Sequence, residues 1–203
     1  MHPLDFRFRG LKTEMVAVEK ASSEFQGIEQ YLVRTCGSTH HMQYQLEDVF
    51  RIERQGESKR FDESPYAKIP SDRRLLWHGS RTTNYGGILS QGLRIAPPEA
   101  PVSGYMFGKG IYLADMSSKS ANCELALSST LLREKADIIV DCFSYLSGGQ
   151  GLLMLCEAEL GKPMQVLQDA HMEAGEMAKK MGAHSTWGQV WNGASEIKVI
   201  SAR

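Results

Sequence analysis

The hydrophobic positions of this chain change period several times, and each change marks an expected element. Over residues 23–34, Phe25, Ile28 and Leu32 recur on one face at helical spacing. Ser23, with Gln26 three residues on, reads as a capping box, so a short amphipathic helix is predicted there. Residues 49–54 set Phe50 and Ile52 against Arg51 and Glu53, the period-two signature of a half-buried strand, which Gly56 ends. Residues 56–72 are polar and hold Pro65 and Pro70, which predicts a loop. Leu75-Leu76-Trp77 follows as a short apolar strand, stopped by His78-Gly79-Ser80, and residues 82–91 suit a helix closed by Gly92. Pro97, Pro98 and Pro101 forbid regular structure until Gly110. A strand is then predicted through Ile111-Tyr112-Leu113, and a helix start over Ser117 to Asn122. Residues 152–160 read as another strand, and 169–181 as a weakly patterned helix broken by Gly182. Several strands with few helices between them predict an α+β fold rather than a parallel βαβ array.

Composition narrows the picture. A chain of 203 residues, 42% hydrophobic, suffices for one full-sized domain. Lys plus Arg (23) against Asp plus Glu (24) leaves a net charge of -1, without the basic surplus expected of a module that holds nucleic acid through its phosphates. Cys36, Cys123, Cys142 and Cys156 lack CxxC spacing, which argues against a zinc site. Their sparseness predicts reduced thiols and an intracellular protein. The first residues, Met1-His2-Pro3-Leu4-Asp5, carry no apolar signal-peptide core, and no run of 18 apolar residues predicts a membrane span.

Two segments carry candidate chemistry: Leu75 to Asn84, and Gly104-Tyr105-Met106-Phe107-Gly108-Lys109-Gly110-Ile111-Tyr112 running on to Ser118-Lys119-Ser120-Ala121-Asn122. In the first, a histidine leaves the end of an apolar strand beside a glycine. Glycine lets a ligand approach the backbone closely, where a planar amide could bond one N–H and one C=O together. Taken alone, the segment reads more simply as a partly buried histidine next to a turn. The second segment has neither the G-x-x-x-x-G-K-[ST] spacing nor G-x-G-x-x-G, and it leads into a strand rather than a helix, so Walker and Rossmann readings fail. Tyr112 in a strand is by itself an ordinary core residue.

Together the two segments closely resemble the catalytic domain of the poly(ADP-ribose) polymerase family, of the DNA-damage-responsive type. The resemblance runs nearly unbroken from Arg73 to Asn122 and resumes at Gly148-Gly149-Gln150-Gly151-Leu152-Leu153. It continues to His184-Ser185-Thr186-Trp187-Gly188, and upstream includes Thr39-His40 and Phe50-Arg51-Ile52-Glu53-Arg54. It implies a nuclear transferase with two antiparallel sheets packed around an NAD cleft, moving ADP-ribose from NAD+ to protein side chains or growing polymer and releasing nicotinamide, without a metal. It also implies roles. His78 would hold the adenine-side ribose hydroxyl, and Tyr112 would lie against the nicotinamide ring, both as members of the catalytic triad. Gly79 and Ser120 would bind the carboxamide. Ser80, Arg94 and Tyr105 would line the NAD site, Lys109 would stand near the acceptor, and residues 162–188 would form a loop beside the donor.

The sequence departs from that pattern in two places. The family's third triad member is a glutamate that follows an asparagine in a late strand beside aromatic residues, and no Asn-Glu-Tyr triplet occurs here. Glu196 is the one carboxylate after Trp187, and nothing around it matches, so it reads as a solvated residue of an atypical tail over 189–203. Cys123 stands where the family has a tyrosine forming the other wall of the nicotinamide site, and residues 123–141 read as an insertion, with Tyr145 beyond it as the alternative candidate for that wall. The expectation is one incomplete catalytic domain over 1–203 with C-terminal strands missing. The family's helical autoinhibitory and DNA-reading modules are not in this sequence, so activity is expected not to be gated by DNA. The alternative expectation is an inactive NAD-binding or interaction module of the same fold.

Overall fold

A computed structural model describes residues 1–37, 44–95, 106–121, 151–192 and 195–202, with residues 190–202 described through their backbone alone. Along the chain lie helix α1 (Pro3–Gly10), strand β1 (Thr13–Ala17), helix α2 (Ser23–Arg34), strand β2 (Phe50–Arg54), helix α3 (Glu57–Asp62) and a 3-10 turn (Pro65–Lys68). They are followed by β3 (Arg73–His78), a second 3-10 turn (Thr82–Asn84), α4 (Tyr85–Gln91), β4 (Ile111–Ala114) and α5 (Ser117–Ser120). The chain continues through β5 (Met154–Glu159), β6 (Gln165–Leu167), α6 (Ala174–Lys180), β7 (Ser185–Asn192) and β8 (Ser195–Ala202). The mixture of helix and largely antiparallel sheet is the predicted α+β class.

Two sheets organise these elements. The smaller is the antiparallel pair β1-β2, and the larger has six strands in the order β5-β3-β4-β8-β7-β6, antiparallel except for the parallel pair β6-β7. β3 and β4 therefore sit inside the larger sheet, paired to each other at Trp77↔Ala114, with β5 flanking β3 and β8 flanking β4. Alternation along β3 sends Leu76 and Trp77 to opposite faces. Leu76, 1% exposed, joins Leu113 and Leu160 in a core cluster. Trp77, 3% exposed, is stacked by Tyr31 of α2 at 5.5 Å between ring centroids. The end of β3 is covered on both sides, and this is where the candidate site begins.

The predicted elements differ from the observed ones in definite ways. The α2 cap is Ser22, whose Oγ accepts from the Phe25 N–H, one residue before the predicted Ser23–Gln26 box. Ser23 is already helical, so its own side chain is not the cap. The loop expected over 56–72 contains α3 and a 3-10 turn. Pro65 opens that turn at its first position, where its missing N–H would have had no partner in any case. Residues 162–188, expected as a loop, contain β6, α6 and the start of β7. Residues 189–203, expected as an atypical tail, carry the end of β7 and all of β8. The latter pairs Trp191↔Glu196 in the hairpin and lies between β7 and β4. Glu196 thus belongs to an internal strand and not to a free tail. Among the described residues no helix is long and apolar enough to cross a membrane.

Candidate active site

Sheet pairing brings the two chemistry-bearing segments together. His78 ends β3, and its Nδ1 lies 2.9 Å from the backbone oxygen of Tyr112 on β4. A carbonyl only accepts, so Nδ1 carries the proton and Nε2 is left as an acceptor in the neutral ring. Burial disfavours the imidazolium and lowers the His78 pKa from its ordinary 6.5, partly opposed by the bond to the Tyr112 carbonyl. The residue is accordingly neutral at pH 7, a fixed acceptor on a rigid strand.

Gly79 follows immediately, one residue beyond the last β3–β5 ladder pair, His78↔Met154. A methyl group added to it would lie 1.6 Å from the backbone oxygen of Ser120. The glycine is required by the close approach of α5, whatever ligand the site takes. Ser120 closes the same junction from the other side, its Oγ donating to the Trp77 carbonyl at 2.8 Å. With its proton held there, the Ser120 hydroxyl presents lone pairs; donating to a ligand carbonyl requires it to rotate away from Trp77. Ser80 is held by Asn84, whose Nδ2 donates to Ser80 Oγ at 3.0 Å. Asn84 is a contact that the sequence reading missed, although an amide four residues after a serine across a turn is a recognisable signal.

The Tyr112 phenol is engaged within its own loop. It donates to the Gly108 carbonyl at 2.6 Å and accepts from the Phe107 N–H at 3.1 Å. The hydroxyl therefore locks the 106–110 turn. Gly108 holds φ at +76°, and an added methyl there would lie 2.3 Å from the Met172 carbonyl oxygen, so the turn tucks under the 171–174 segment. The His171 N–H donates to the Met106 carbonyl at 2.9 Å and fastens the same contact. Phe107, fully buried, packs with Ala174, while Tyr112 and Leu167 cover the pair.

The remaining expected site residues are more dispersed. Lys109 is exposed at the tip of the 106–110 turn. Arg94 is exposed beyond α4, where its Nη1 donates to Gln91 Oε1 at 2.9 Å. Tyr105 lies outside the described residues, as do Thr39, His40, Cys123, Cys142, Tyr145 and the expected insertion over 123–141. The structure therefore joins His78 to Tyr112 and Gly79 to Ser120. Cys36 and Cys156 are thiols, and burial pushes the Cys156 thiol up to about 11, so it stays protonated and inert.

The family model for the poly(ADP-ribose) polymerase catalytic domain matches residues 22–199. The chain is 48% identical over 166 residues to poly(ADP-ribose) polymerase of Drosophila melanogaster, covering 81% of this chain and 14% of that protein. It is 46% identical over 171 residues to poly(ADP-ribose) polymerase 1 of Danio rerio, covering 84% of this chain and 15% of that protein. With poly(ADP-ribose) polymerase 2 of Homo sapiens it shares 43% identity over 188 residues, covering 92% of this chain and 28% of that protein. The chain thus spans between 14% and 28% of the length of these three relatives. With a family match over residues 22–199 and both site segments paired on adjacent strands, this chain belongs to the poly(ADP-ribose) polymerase catalytic-domain family.

Proposed function

We propose that this chain binds NAD+ in the cleft where β3, β4 and α5 meet and transfers its ADP-ribose to protein side chains or growing polymer, releasing nicotinamide. One observation carries the reading: Gly79 and Ser120 are in contact directly beside a neutral histidine that is held to the Tyr112 backbone. Under this reading the carboxamide of nicotinamide pairs with the Gly79 N–H and C=O, and Ser120 adds its hydroxyl. The Tyr112 ring lies against the nicotinamide, where a cationic ring gains from an aromatic face. The His78 Nε2 accepts from the adenine-side ribose hydroxyl, a role its depressed pKa suits. Ser80, Arg94 and Tyr105 line the rest of the dinucleotide and Lys109 stands toward the acceptor. The nuclear setting and the protein acceptors follow from the same family assignment.

Loss of nicotinamide leaves positive charge at the ribose C1, and a carboxylate on the ribose 2-hydroxyl would stabilise it. No Asn-Glu-Tyr triplet occurs in the 203 residues, and this observation favours a second reading, NAD binding without turnover. The two separate in one experiment. NAD+ is expected to raise the melting temperature of the chain, and His78→Ala to abolish that rise, measured from the variant's own melting temperature without ligand. Nicotinamide release, followed in the same samples, assigns the enzyme reading, and its absence alongside NAD-dependent stabilisation assigns the second. A His78→Ala chain that is still stabilised by NAD+ would show that the site lies elsewhere.

A further inference from the structure

The C-terminal turn of α2, although it contributes none of the expected site residues, is tied into the junction that forms the site. The Trp77 indole N–H donates to Thr35 Oγ1 at 2.9 Å, and that hydroxyl in turn donates to the Tyr31 carbonyl at 2.6 Å. The Thr35 carbonyl accepts from the Ser117 N–H at 3.0 Å, at the start of α5. Ser117 Oγ donates to the Leu32 carbonyl at 2.7 Å, and the Gly37 N–H donates to Ser118 Oγ at 2.8 Å. Both serines are fully buried. At the other end of α5, Ser120 Oγ returns to the Trp77 carbonyl. The bonds form a closed circuit, Thr35 to Trp77 to Ser120, back along α5 to Ser117, and to Thr35 again. Trp77 immediately precedes His78 and Gly79, so the circuit sets how far α5 stands from Gly79.

We propose that Thr35 is a positioning residue for the nicotinamide subsite: through the Trp77 indole and the Ser117 N–H it holds α5 against the end of β3, so that the Ser120 hydroxyl stands beside the Gly79 backbone groups that take the carboxamide. The inference rests on the NAD-binding reading above. It follows from the geometry because the Thr35 side chain is bonded to β3 while its backbone carbonyl is bonded to α5, from an element that belongs to neither. Removing its hydroxyl leaves a buried indole N–H without its acceptor and releases one side of the circuit while leaving the other intact.

Separate titrations with nicotinamide and with ADP-ribose, the two halves into which NAD+ divides, test it by calorimetry on the full chain. Thr35→Val retains the β-branched shape and is expected to weaken nicotinamide binding about three- to tenfold, the range of one net hydrogen bond. ADP-ribose binding stays within about twofold, and Thr35→Ser, which restores the hydroxyl, returns nicotinamide affinity to that of the unmodified chain. A general loosening of the fold would weaken both ligands together and would not respond to serine. Equal loss of both ligands, unchanged nicotinamide binding in Thr35→Val, or failure of serine to restore it overturns the proposal while the NAD-binding reading stands. An unmodified chain that binds neither ligand overturns both. Should Thr35→Val fail to fold, Trp77→Phe removes the same bond from the donor side, and the same split between the ligands is required of it.

Discussion

The larger sheet and the N-terminal layer of this molecule are held by different kinds of interaction. Around the end of β3, buried or part-buried side chains bond to groups of distant segments: Ser117 to the Leu32 carbonyl, Ser118 to the Gly37 N–H, Ser120 to the Trp77 carbonyl. Helix α1 and the β1-β2 pair present the opposite picture. No residue of α1 is buried, Phe6 is 71% exposed, and the ion pairs Arg51–Glu24 and Lys20–Asp48 are set in solvent. This layer is attached through a few contacts to α4, chiefly Thr13 Oγ1 donating to the Leu89 carbonyl at 2.6 Å and Arg54 Nε donating to the Ile88 carbonyl at 3.1 Å. A buried donor that loses its acceptor retains its desolvation cost, whereas an exposed ion pair is replaced by water at little cost. Charge and hydrophobicity along the sequence would not rank the two regions in this order; burial of the bonded groups does.

Substitutions can break that contrast, and their expected effects fall from one region to the other. Gly79→Ala is expected to have the largest effect, because no rotamer moves a Cβ away from a backbone oxygen 1.6 Å distant. The α5–β3 junction has to open, which costs about 3 kcal/mol or more. Calorimetric melting measures the destabilisation, and nicotinamide titration should show loss of binding. A variant as stable as the parent would mean that α5 does not sit against β3. Glu159→Gln comes next. This side chain, 6% exposed, accepts from Ser71 Oγ, the Asp72 and Gly161 N–H groups and Arg73 Nε. Burial alone would raise its pKa, but the four donors hold it below the ordinary 4.5. A carboxyl with a lowered folded-state pKa stabilises the fold fully above the unfolded value, and that contribution is lost as pH falls through the folded value. Denaturant melts should show the variant destabilised by about 1–3 kcal/mol at pH 7. The difference from the parent shrinks below pH 4.5; a constant difference down to pH 2 would refute the assignment. The smallest change is expected for Arg51→Ala, below about 1 kcal/mol. A larger loss there would erase the distinction between the two regions.

How much was legible in the sequence differs between the fold and the site. Helix α2 was predicted with its observed limits, because Phe25, Ile28 and Leu32 keep one period throughout. Strand β8 was passed over although Ile197 and Val199 alternate with Glu196 and Lys198, the period-two signal of a strand. Reading 189–203 as a tail weighed a mismatch to the family above that local pattern. The candidate site residues are nameable because two segments resemble a family, whereas their mutual arrangement is not. The His78–Tyr112 bond spans 34 positions and that between Ser120 and Trp77 spans 43. Contacts at such separations are set by sheet pairing, which local periodicity does not encode. The same holds for Thr35, an ordinary residue at a helix end in sequence, distinguished only once Trp77 is seen to reach it.

The order β5-β3-β4-β8-β7-β6 also bears on how the chain reaches its native state. Among the described residues the β5-β3-β4 half and the β7-β6 half share no ladder, and β8 pairs with both through its edges. Pairing Ile111 with Ala202 closes a loop of most of the second half of the chain, so its entropic cost precedes any reward from the joined sheet. Until residues 195–202 have been synthesised and docked, β4 carries an unpaired edge next to the His78–Tyr112 bond. Docking of β8 covers that edge, so completion of the sheet protects the strand that carries Tyr112.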